Sequence, residues 1–199
     1  MLVVGLPRGG VPVAFEVARA LRAPLETFVV RKLGVPGHEE LAMGAIASGG
    51  ITVLEQDVIR ELGIPPGLVE RVARSEQVEL ERREALYRGT RPFPELRGRT
   101  VIVVDDGLAT GATMAAAVAA LREPGPAKII VAVPVAAPPT CAMLGEIADE
   151  CICVATPTPF HGVGMWYVDF GQTSDEEVRS LLAEADRDGA GANTELAEM

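Results

Sequence analysis

Short apolar runs alternate along this chain with segments whose apolar residues recur at helical spacing. Leu2 to Leu6, Thr100 to Val104 and Ile129 to Val135 have the length and branching of buried strands, and Val11 to Leu21 has the period of a helix. This alternation predicts an α/β fold, a doubly wound and mainly parallel sheet with helices on both faces. Ligands of such sheets bind beyond the carboxyl ends of the strands, so the loops after Leu6, Val30 and Val104 are expected to face one cleft.

The same patterns give the remaining elements and the domain organisation. They predict strands at Phe28 to Val30, Ile51 to Leu54 and Cys151 to Val154, and helices at Leu68 to Tyr87, Met114 to Leu121 and Thr140 to Ala148. Ser174 and Glu177 form a capping-box pattern before a last helix through Leu182. We therefore expect one domain over residues 1–185, with an insertion at about 38–97 that covers the cleft and a small C-terminal hood at about 155–173. Residues 186–199, rich in Gly, Ala and acids, are expected to form a loose acidic tail.

Charge and hydropathy limit the partners. Eighteen basic and 28 acidic side chains give a formal charge of −10, which disfavours non-specific binding to nucleic acid or to an anionic membrane. The longest apolar stretch, residues 129–137, is far below the ~18 residues of a membrane span. No signal-peptide pattern opens the sequence, so a cytoplasmic protein is expected. If the chain binds phosphate, it does so at a dedicated site.

The three cysteines do not have the spacing of a metal ribbon. Cys151 and Cys153 lie in a short apolar run, and Cys141 precedes them. This pattern favours reduced, buried thiols. The two histidines, His38 and His161, are too far apart in sequence to indicate a local metal site.

The most informative stretch is residues 100–121, TVIVVDDGLATGATMAAAVAAL. A buried strand ends in Asp105 and Asp106, and a loop of small residues then leads directly into an Ala-rich helix. Such a loop leaves amide groups open at a helix N-terminus, where the helix dipole also favours an anion. The spacing fits neither the Lys-containing phosphate loop of nucleotide triphosphatases nor the G-x-G-x-x-G turn of dinucleotide-binding proteins.

Acids beside an anion nest would repel phosphate unless they face sugar hydroxyls or a divalent cation. The stretch therefore predicts a site for a phosphorylated sugar, with hydroxyls on Asp105 and Asp106. The 5′-phosphate would bind the loop residues Ala109, Thr110, Gly111, Ala112 and Thr113. A tight strand-to-helix turn whose acids only cap it is the structural alternative.

The stretch resembles the signature of the type I phosphoribosyltransferases, in which two acids and Thr-Gly-x-Thr bind phosphoribosyl pyrophosphate (PRPP). The Leu-Ala-Thr-Gly version is similar to that of adenine phosphoribosyltransferases. Two further segments support the resemblance: Leu6 to Gly10, at the position of the pyrophosphate loop, and Val30 to Gly37, which is similar to the Arg-Lys-x-Gly-x-x-Pro-Gly run of that family. The resemblance implies that pyrophosphate binds to Pro7, Arg8, Gly9, Gly10, Arg31 and Lys32. A plain turn and solvated surface cations are the alternatives.

The resemblance also implies a reaction. A nitrogen nucleophile displaces pyrophosphate from C1 of PRPP with Mg²⁺, held mainly through PRPP and in part by Asp105 and Asp106, in nucleotide salvage. Catalytic candidates are these two acids, Arg31, and Glu39 or Glu40 in a lid drawn from His38 to Ser48, with hinges at Gly37, Gly44, Gly49 and Gly50. The alternative function is a non-catalytic regulator that senses PRPP or a nucleotide on the same fold.

The acceptor site is expected among the aromatic residues after Val154. Phe160, Trp166 or Tyr167 would stack on a flat base and Asp169 would accept from a ring N–H, although satellite core packing is the alternative. Ala109 occupies the place where 6-oxopurine phosphoribosyltransferases have an aspartate, so hypoxanthine and guanine are expected to be poor acceptors and adenine is the first base to test. The family resemblance also implies a homodimer.

Overall fold

The computed structural model describes residues 1–197, and the side chains of these residues except 39, 40 and 189–197. The strands are β1 Leu2–Gly5, β2 Leu25–Thr27, β3 Val30–Val35, β4 His38–Ala47, β5 Ile51–Leu54, β6 Thr100–Val104, β7 Lys128–Val135 and β8 Glu150–Ala155. The helices are α1 Gly10–Leu21, α2 Gln56–Glu61, α3 Pro66–Arg88, α4 Ala112–Arg122, α5 Pro138–Ile147 and α6 Asp175–Ala197, with a 3-10 turn at Val163–Trp166.

The main sheet confirms the predicted α/β fold. Its five strands are all parallel and lie in the order β2-β1-β6-β7-β8. Alternate side chains of the strands point to opposite faces of the sheet, and each face has its own core. On one face, Val3 and Ile102 pack with α1, α3 and α6; on the other, Leu2 and Val103 pack with α4 and α5. The direction of winding reverses between β1 and β6. Ligands of doubly wound sheets bind at such a reversal, outside the carboxyl ends of the two strands.

The second strand was predicted too late in the sequence. The strand that pairs with β1 is Leu25–Thr27, not Phe28 to Val30, and Val30 instead begins a separate three-stranded antiparallel sheet, β3-β4-β5. The chain passes between the sheets at Phe28, whose amide donates to the Gly5 carbonyl at 3.0 Å. The branched residues that suggested one strand are thus divided between two sheets. The loop expected after Val30 does not exist, because Val30 lies inside the small sheet.

The segment predicted to be a lid is a strand. β4 pairs with β3, with register shifts on both sides of Gly34, and with β5 over Gly44–Ala47. The β3–β4 hairpin turns at Pro36 and Gly37, where Gly37 has φ of +82°. A side chain at Gly44 would overlap the Val53 carbonyl of the neighbouring strand, so this glycine permits strand packing and is not a free hinge. The insertion is a small sheet that α3 covers, with Leu33 and Leu80 fully buried.

The C-terminal helix is capped as predicted but is longer than expected. The Glu177 amide donates to Ser174 Oγ at 3.1 Å, which confirms the cap. The loose tail predicted from Asp186 is wrong over residues 186–197, since α6 continues to Ala197; residues 198 and 199 lie outside the described residues. Asp186 on this helix forms an ion pair with Arg91 at 2.9 Å, and buried Val178 holds its first turns on the core. None of the helices described here is both long and apolar enough to cross a bilayer.

The prediction of three reduced, buried thiols is also wrong. Cys141 and Cys153 form a disulfide, and Cys151 is a free, half-buried cysteine beside it. Cys151 and Cys153 are two residues apart in β8, so both face the same side of the sheet. Cys141, on α5, lies on that side. The sequence spacing could not show this juxtaposition because α5 and β8 meet only in the folded chain.

Candidate functional site

Two loops meet at the reversal of the sheet, one after β1 and one after β6. The Leu6 amide donates to the Val104 carbonyl at 2.9 Å, which holds the two strand ends together. A side chain at Gly9 would overlap the Asp106 carboxylate, and one at Gly10 would lie only 2.7 Å from the Val104 carbonyl oxygen. The first loop therefore contacts the two acids because both of its glycines lack a side chain. The peptide bond between Pro7 and Arg8 is cis.

Asp105 and Asp106 are half-buried where the two loops come together. Asp105 Oδ1 accepts from the Asp106 amide at 2.9 Å, and within the described part of the chain neither carboxylate forms an ion pair with a Lys or Arg. Burial, with the nearby charge of Asp106, raises the pKa of Asp105 to about 7. Burial also raises the pKa of Asp106. Carboxylates that are desolvated and lack a protein cation favour a ligand that supplies hydroxyl donors or a metal ion.

The loop beyond the acids presents open amides. Gly111 has φ of +72°, a left-handed conformation that lets the chain turn directly into α4. For the residues described here, no acceptor is found for the amides of Ala109, Thr110, Gly111 and Thr113, and only a 3.5 Å contact to Thr110 Oγ1 is found for that of Ala112. These amides lie at the N-terminus of an 11-residue helix, where Gly111 is buried and the other four residues are exposed. The arrangement is typical of a phosphate site.

Hydrogen bonds from other parts of the fold hold the backbone of this loop. Leu108 exchanges backbone hydrogen bonds of 2.9 Å with Val135 and Ala137 beyond β7, and Thr140 Oγ1 donates to the Ala109 carbonyl at 2.6 Å. Tyr167 Oη donates to the Asp106 carbonyl at 2.6 Å. Nothing in the sequence motif indicated Thr140 as a loop contact, because it lies on a different helix. These hydrogen bonds fix the loop, while the amides of Ala109, Thr110 and Gly111 have no acceptor among the described residues.

The hood lies directly on the loop that follows β6. Val163 packs against Gly107, and the ring of Tyr167 contacts Phe170 with centroids 5.1 Å apart. Burial, with the negative charges of the two acids, raises the pKa of Tyr167 to about 12, so its hydroxyl stays a donor. Tyr167 was predicted as a base-stacking residue, but its phenol is used to hold the loop.

The other three predicted base contacts are not brought together by direct contacts. Trp166 is half exposed and Phe160 is half-buried, while the exposed Asp169 carboxylate accepts from the Gly171 amide at 3.1 Å. The roles of these three residues in base binding stay predictions.

The predicted pyrophosphate cations separate into different environments. Arg8 lies in the first loop, and its positive charge acts on the phenol of Tyr87 at the end of α3, whose pKa is raised to about 12 chiefly by burial and by its hydrogen bond to Asp175. Arg31 forms a two-atom ion pair with Glu76 of α3 at 2.6 and 2.7 Å. Lys32 is exposed and lines a groove of about 390 Å³ between the small sheet and α4.

Arg31 and Lys32 are adjacent in β3, so they point to opposite faces of the small sheet. One diphosphate cannot meet both cations while the strand keeps this form. The side chains of the other two catalytic candidates, Glu39 and Glu40, lie outside the described residues.

Comparison with known proteins decides the family. The model of the phosphoribosyl transferase domain matches residues 1–165, which include both loops, the acids and the hood up to Met165. The chain belongs to the phosphoribosyl transferase domain family. This is the family that the sequence resemblance implied.

Two Mycobacterium tuberculosis proteins of this family are similar to most of the chain. The one named "Putative phosphoribosyl transferase Rv0571c" is 48% identical over 192 residues, which are 96% of this chain and 43% of that protein; the corresponding protein of strain CDC 1551 matches equally. The chain thus spans less than half the length of these relatives. The "Bifunctional protein PyrR" of Brevibacillus brevis is 28% identical over 119 residues, 57% of this chain and 65% of that protein.

One solved structure is similar to this chain over most of its length. The crystal structure of TT1426 from Thermus thermophilus has a TM-score of 0.85 and 43% sequence identity, and the match covers 92% of this chain and 86% of that one. The agreement in fold therefore extends over nearly all of the chain.

Proposed function

We propose that this protein binds PRPP with Mg²⁺ and transfers its 5-phosphoribosyl group to a nitrogen nucleophile with release of pyrophosphate. The observation that carries the proposal is the row of open amides that begins at Ala109, directly beyond two half-buried acids without a protein cation. This combination suits a ligand that has a phosphate at one end and hydroxyls beside it. A turn whose acids served only as caps would not need a row of loop amides without acceptors directly beyond them.

The acids fit a ligand-borne Mg²⁺ ion. Carboxylate oxygen is the ligand type that Mg²⁺ prefers, and burial without a cation is the environment in which a bound ion would stabilise the ionised form of Asp105. Asp105 and Asp106 would hold the ion together with PRPP, and the ion would neutralise charge on the diphosphate. The protein's own contribution is to place the two carboxylates against the ribose.

Charge complementarity explains how the site would act on the bond that breaks. Departure of pyrophosphate leaves positive charge on the ribose ring, as in glycoside hydrolysis, and adds negative charge to the leaving group. In the proposed site, Asp105 and Asp106 would lie beside the ring as its charge develops, and Arg8 and the Gly9 amide would face the leaving group. The hydrogen bonds from Tyr167 to the Asp106 carbonyl and from Thr140 to the Ala109 carbonyl hold the loop after β6 in place before a ligand binds.

The deciding assay measures pyrophosphate release from PRPP and Mg²⁺ with adenine, uracil, hypoxanthine and guanine. We expect turnover with at least one base, and slow turnover of the two 6-oxopurines because Ala109 cannot move a proton. Efficient use of hypoxanthine or guanine would refute the argument from Ala109. Tight PRPP binding without turnover of any base would instead favour the PRPP-sensing alternative.

Calorimetry tests the site residues separately from turnover. Asp105→Asn combined with Asp106→Asn should weaken Mg²⁺-dependent PRPP binding by at least about tenfold, equivalent to roughly 1.4 kcal/mol. Asp57→Asn, an 83% exposed acid on α2, is the matched control and should bind normally. Equal affinity in the double variant and the wild type would remove both acids from the site.

The two ends of PRPP can also be distinguished. Arg8→Ala should weaken pyrophosphate and PRPP more than ribose 5-phosphate, which lacks the leaving group. Thr110→Val should show the opposite preference because it disturbs the 5′-phosphate loop. Equal losses for all three ligands would indicate a different pocket.

Two wider roles follow from the same proposal. We place the reaction in nucleotide salvage, with a nucleobase as the acceptor, and growth of a base-auxotrophic host on that base would test this role. We also propose a homodimer, which light scattering of the purified protein measures directly.

A further inference from the structure

Three sulfur atoms cluster on the side of the sheet away from the first loop. Cys151 Sγ lies 3.9 Å from Cys141 Sγ and 3.7 Å from Cys153 Sγ, and the other two sulfurs form the disulfide. All three ligand atoms fall within 4.8 Å of one another. This cluster lies between α5 and the edge strand β8, outside the proposed PRPP site.

The surroundings of the cluster suit sulfur chemistry. All three cysteines are half-buried and pack against the apolar core beneath α4 and α5. β8 is the last strand of the main sheet, so the sulfurs lie near the edge of the molecule and are reached from one side. Partial burial beside an apolar core excludes most water while leaving a path for a small ion.

We propose that Cys141, Cys151 and Cys153 form a binding site for one thiophilic d10 metal ion, Zn²⁺ or Cu⁺, when the disulfide is reduced. A cellular dithiol supplies the reduction: it gives two electrons and two protons to the Cys141–Cys153 bond and is itself oxidised to a disulfide. The three thiols then lose their protons to solvent as the three thiolates bind the ion. Soft thiolate ligands select ions of this kind over Mg²⁺ or Ca²⁺.

The existing distances already match such a site. A metal–sulfur bond of about 2.3 Å requires the sulfurs of a three-coordinate centre to lie about 4 Å apart. Cys151 has this spacing to both partners, so only the Cys141–Cys153 pair must separate after reduction. Their Cα atoms are 6.6 Å apart, and side-chain rotation alone can open that gap.

The site is separate from the PRPP loop although the two are neighbours in the chain. Thr140 faces the loop through its bond to the Ala109 carbonyl, whereas the next residue, Cys141, faces β8. Metal binding can therefore be measured without PRPP. Its failure would leave the proposed transferase function untouched.

The test uses full-length protein, reduced with a phosphine under anaerobic conditions and then freed of reductant. Titration with Co²⁺, as a coloured substitute for Zn²⁺, and with Cu⁺ against a chromophoric chelator should show one ion per chain in at least one arm. Oxidised wild-type protein, with one free thiol, is the control and should bind neither ion. Absence of binding in both arms would overturn the proposal.

Single serine variants test the cluster itself. Cys151→Ser keeps the disulfide pair and serves as the variant that folds; circular dichroism of the oxidised form checks this. After reduction its affinity should fall by about 100-fold or more, since loss of even an outer-shell partner costs roughly 10–100-fold. Cys141→Ser and Cys153→Ser should show similar losses. Wild-type affinity in Cys151→Ser would show that the third thiol is not a ligand and would refute the site.

Discussion

Replacing Asp105 by Asn should make the ligand-free protein more stable at neutral pH while it removes the proposed function. Folding raises the pKa of this carboxyl from its ordinary value of 3.8 to about 7, mainly through burial. Between these two values the folded protein keeps a proton that the unfolded chain has lost. The stability of the wild type therefore falls as pH rises through this window, and it is level above pH 7.

The size of the effect follows from the shift. Each unit of pKa difference is worth about 1.4 kcal/mol, so ionising Asp105 costs at most about 4 kcal/mol at pH 8. Asn carries no charge, and its Oδ1 can keep the hydrogen bond from the Asp106 amide. We expect the variant to gain up to this amount, or roughly 10 °C in Tm for a chain of this size.

Urea denaturation at pH 5 and pH 8 measures the gain. The advantage of Asp105→Asn should be smaller at pH 5, where the folded wild type is still protonated, and larger at pH 8. Asp57→Asn, on the exposed surface of α2, should change stability by less than about 0.5 kcal/mol at both pH values. A gain of equal size at the two pH values, or a loss at pH 8, would refute the argument from burial.

Three further variants test other contacts. Gly9→Ala should lower stability by about 1–3 kcal/mol and weaken pyrophosphate binding because its methyl group overlaps a carboxylate, whereas Gly67→Ala, with no atom nearer than 4.0 Å, should do neither; equal melting curves would contradict this. Tyr167→Phe should cost about 1 kcal/mol in urea denaturation through its lost hydrogen bond, and an unchanged midpoint would show that the anchor is unimportant. Glu76→Gln should tighten pyrophosphate binding about threefold by freeing Arg31; calorimetry that shows no change would assign Arg31 to holding α3.

The parallel sheet and the open loop after β6 could be predicted because both are encoded locally. The apolar runs of β1, β6 and β7 are short and uninterrupted, and the acids and glycines that follow β6 stand next to one another in the sequence. Fold class and family are accordingly confirmed. The roles of the individual site residues stay predictions.

The errors arise where contacts between distant residues decided the outcome. The branched residues at 28–30 favour a strand, but the main sheet ends before them at Thr27 and the small sheet begins at Val30. The hydrogen bond from the Val29 amide to Ser48 Oγ helps to fix the chain between the two sheets. In the sequence, Gly37 and Gly44 resemble hinges. In the structure, Gly37 forms a hairpin turn and Gly44 permits close packing against the neighbouring strand. The disulfide and the hood anchor on Asp106 join elements that have no shared pattern in sequence.

The reversal of winding between β1 and β6 has a consequence for synthesis of the chain. The two loops of the proposed site belong to neighbouring strands, yet the first emerges from the ribosome near Gly10 and the second only after Thr113. In the interval, the small sheet and α3 can pair through local contacts, whereas β1 lacks the partner on one of its edges. Pairing between strands so far apart in sequence is slow, because a long loop must close first. We expect a nascent chain that ends before β6 to expose the edge of β1 and to be the form most prone to aggregate.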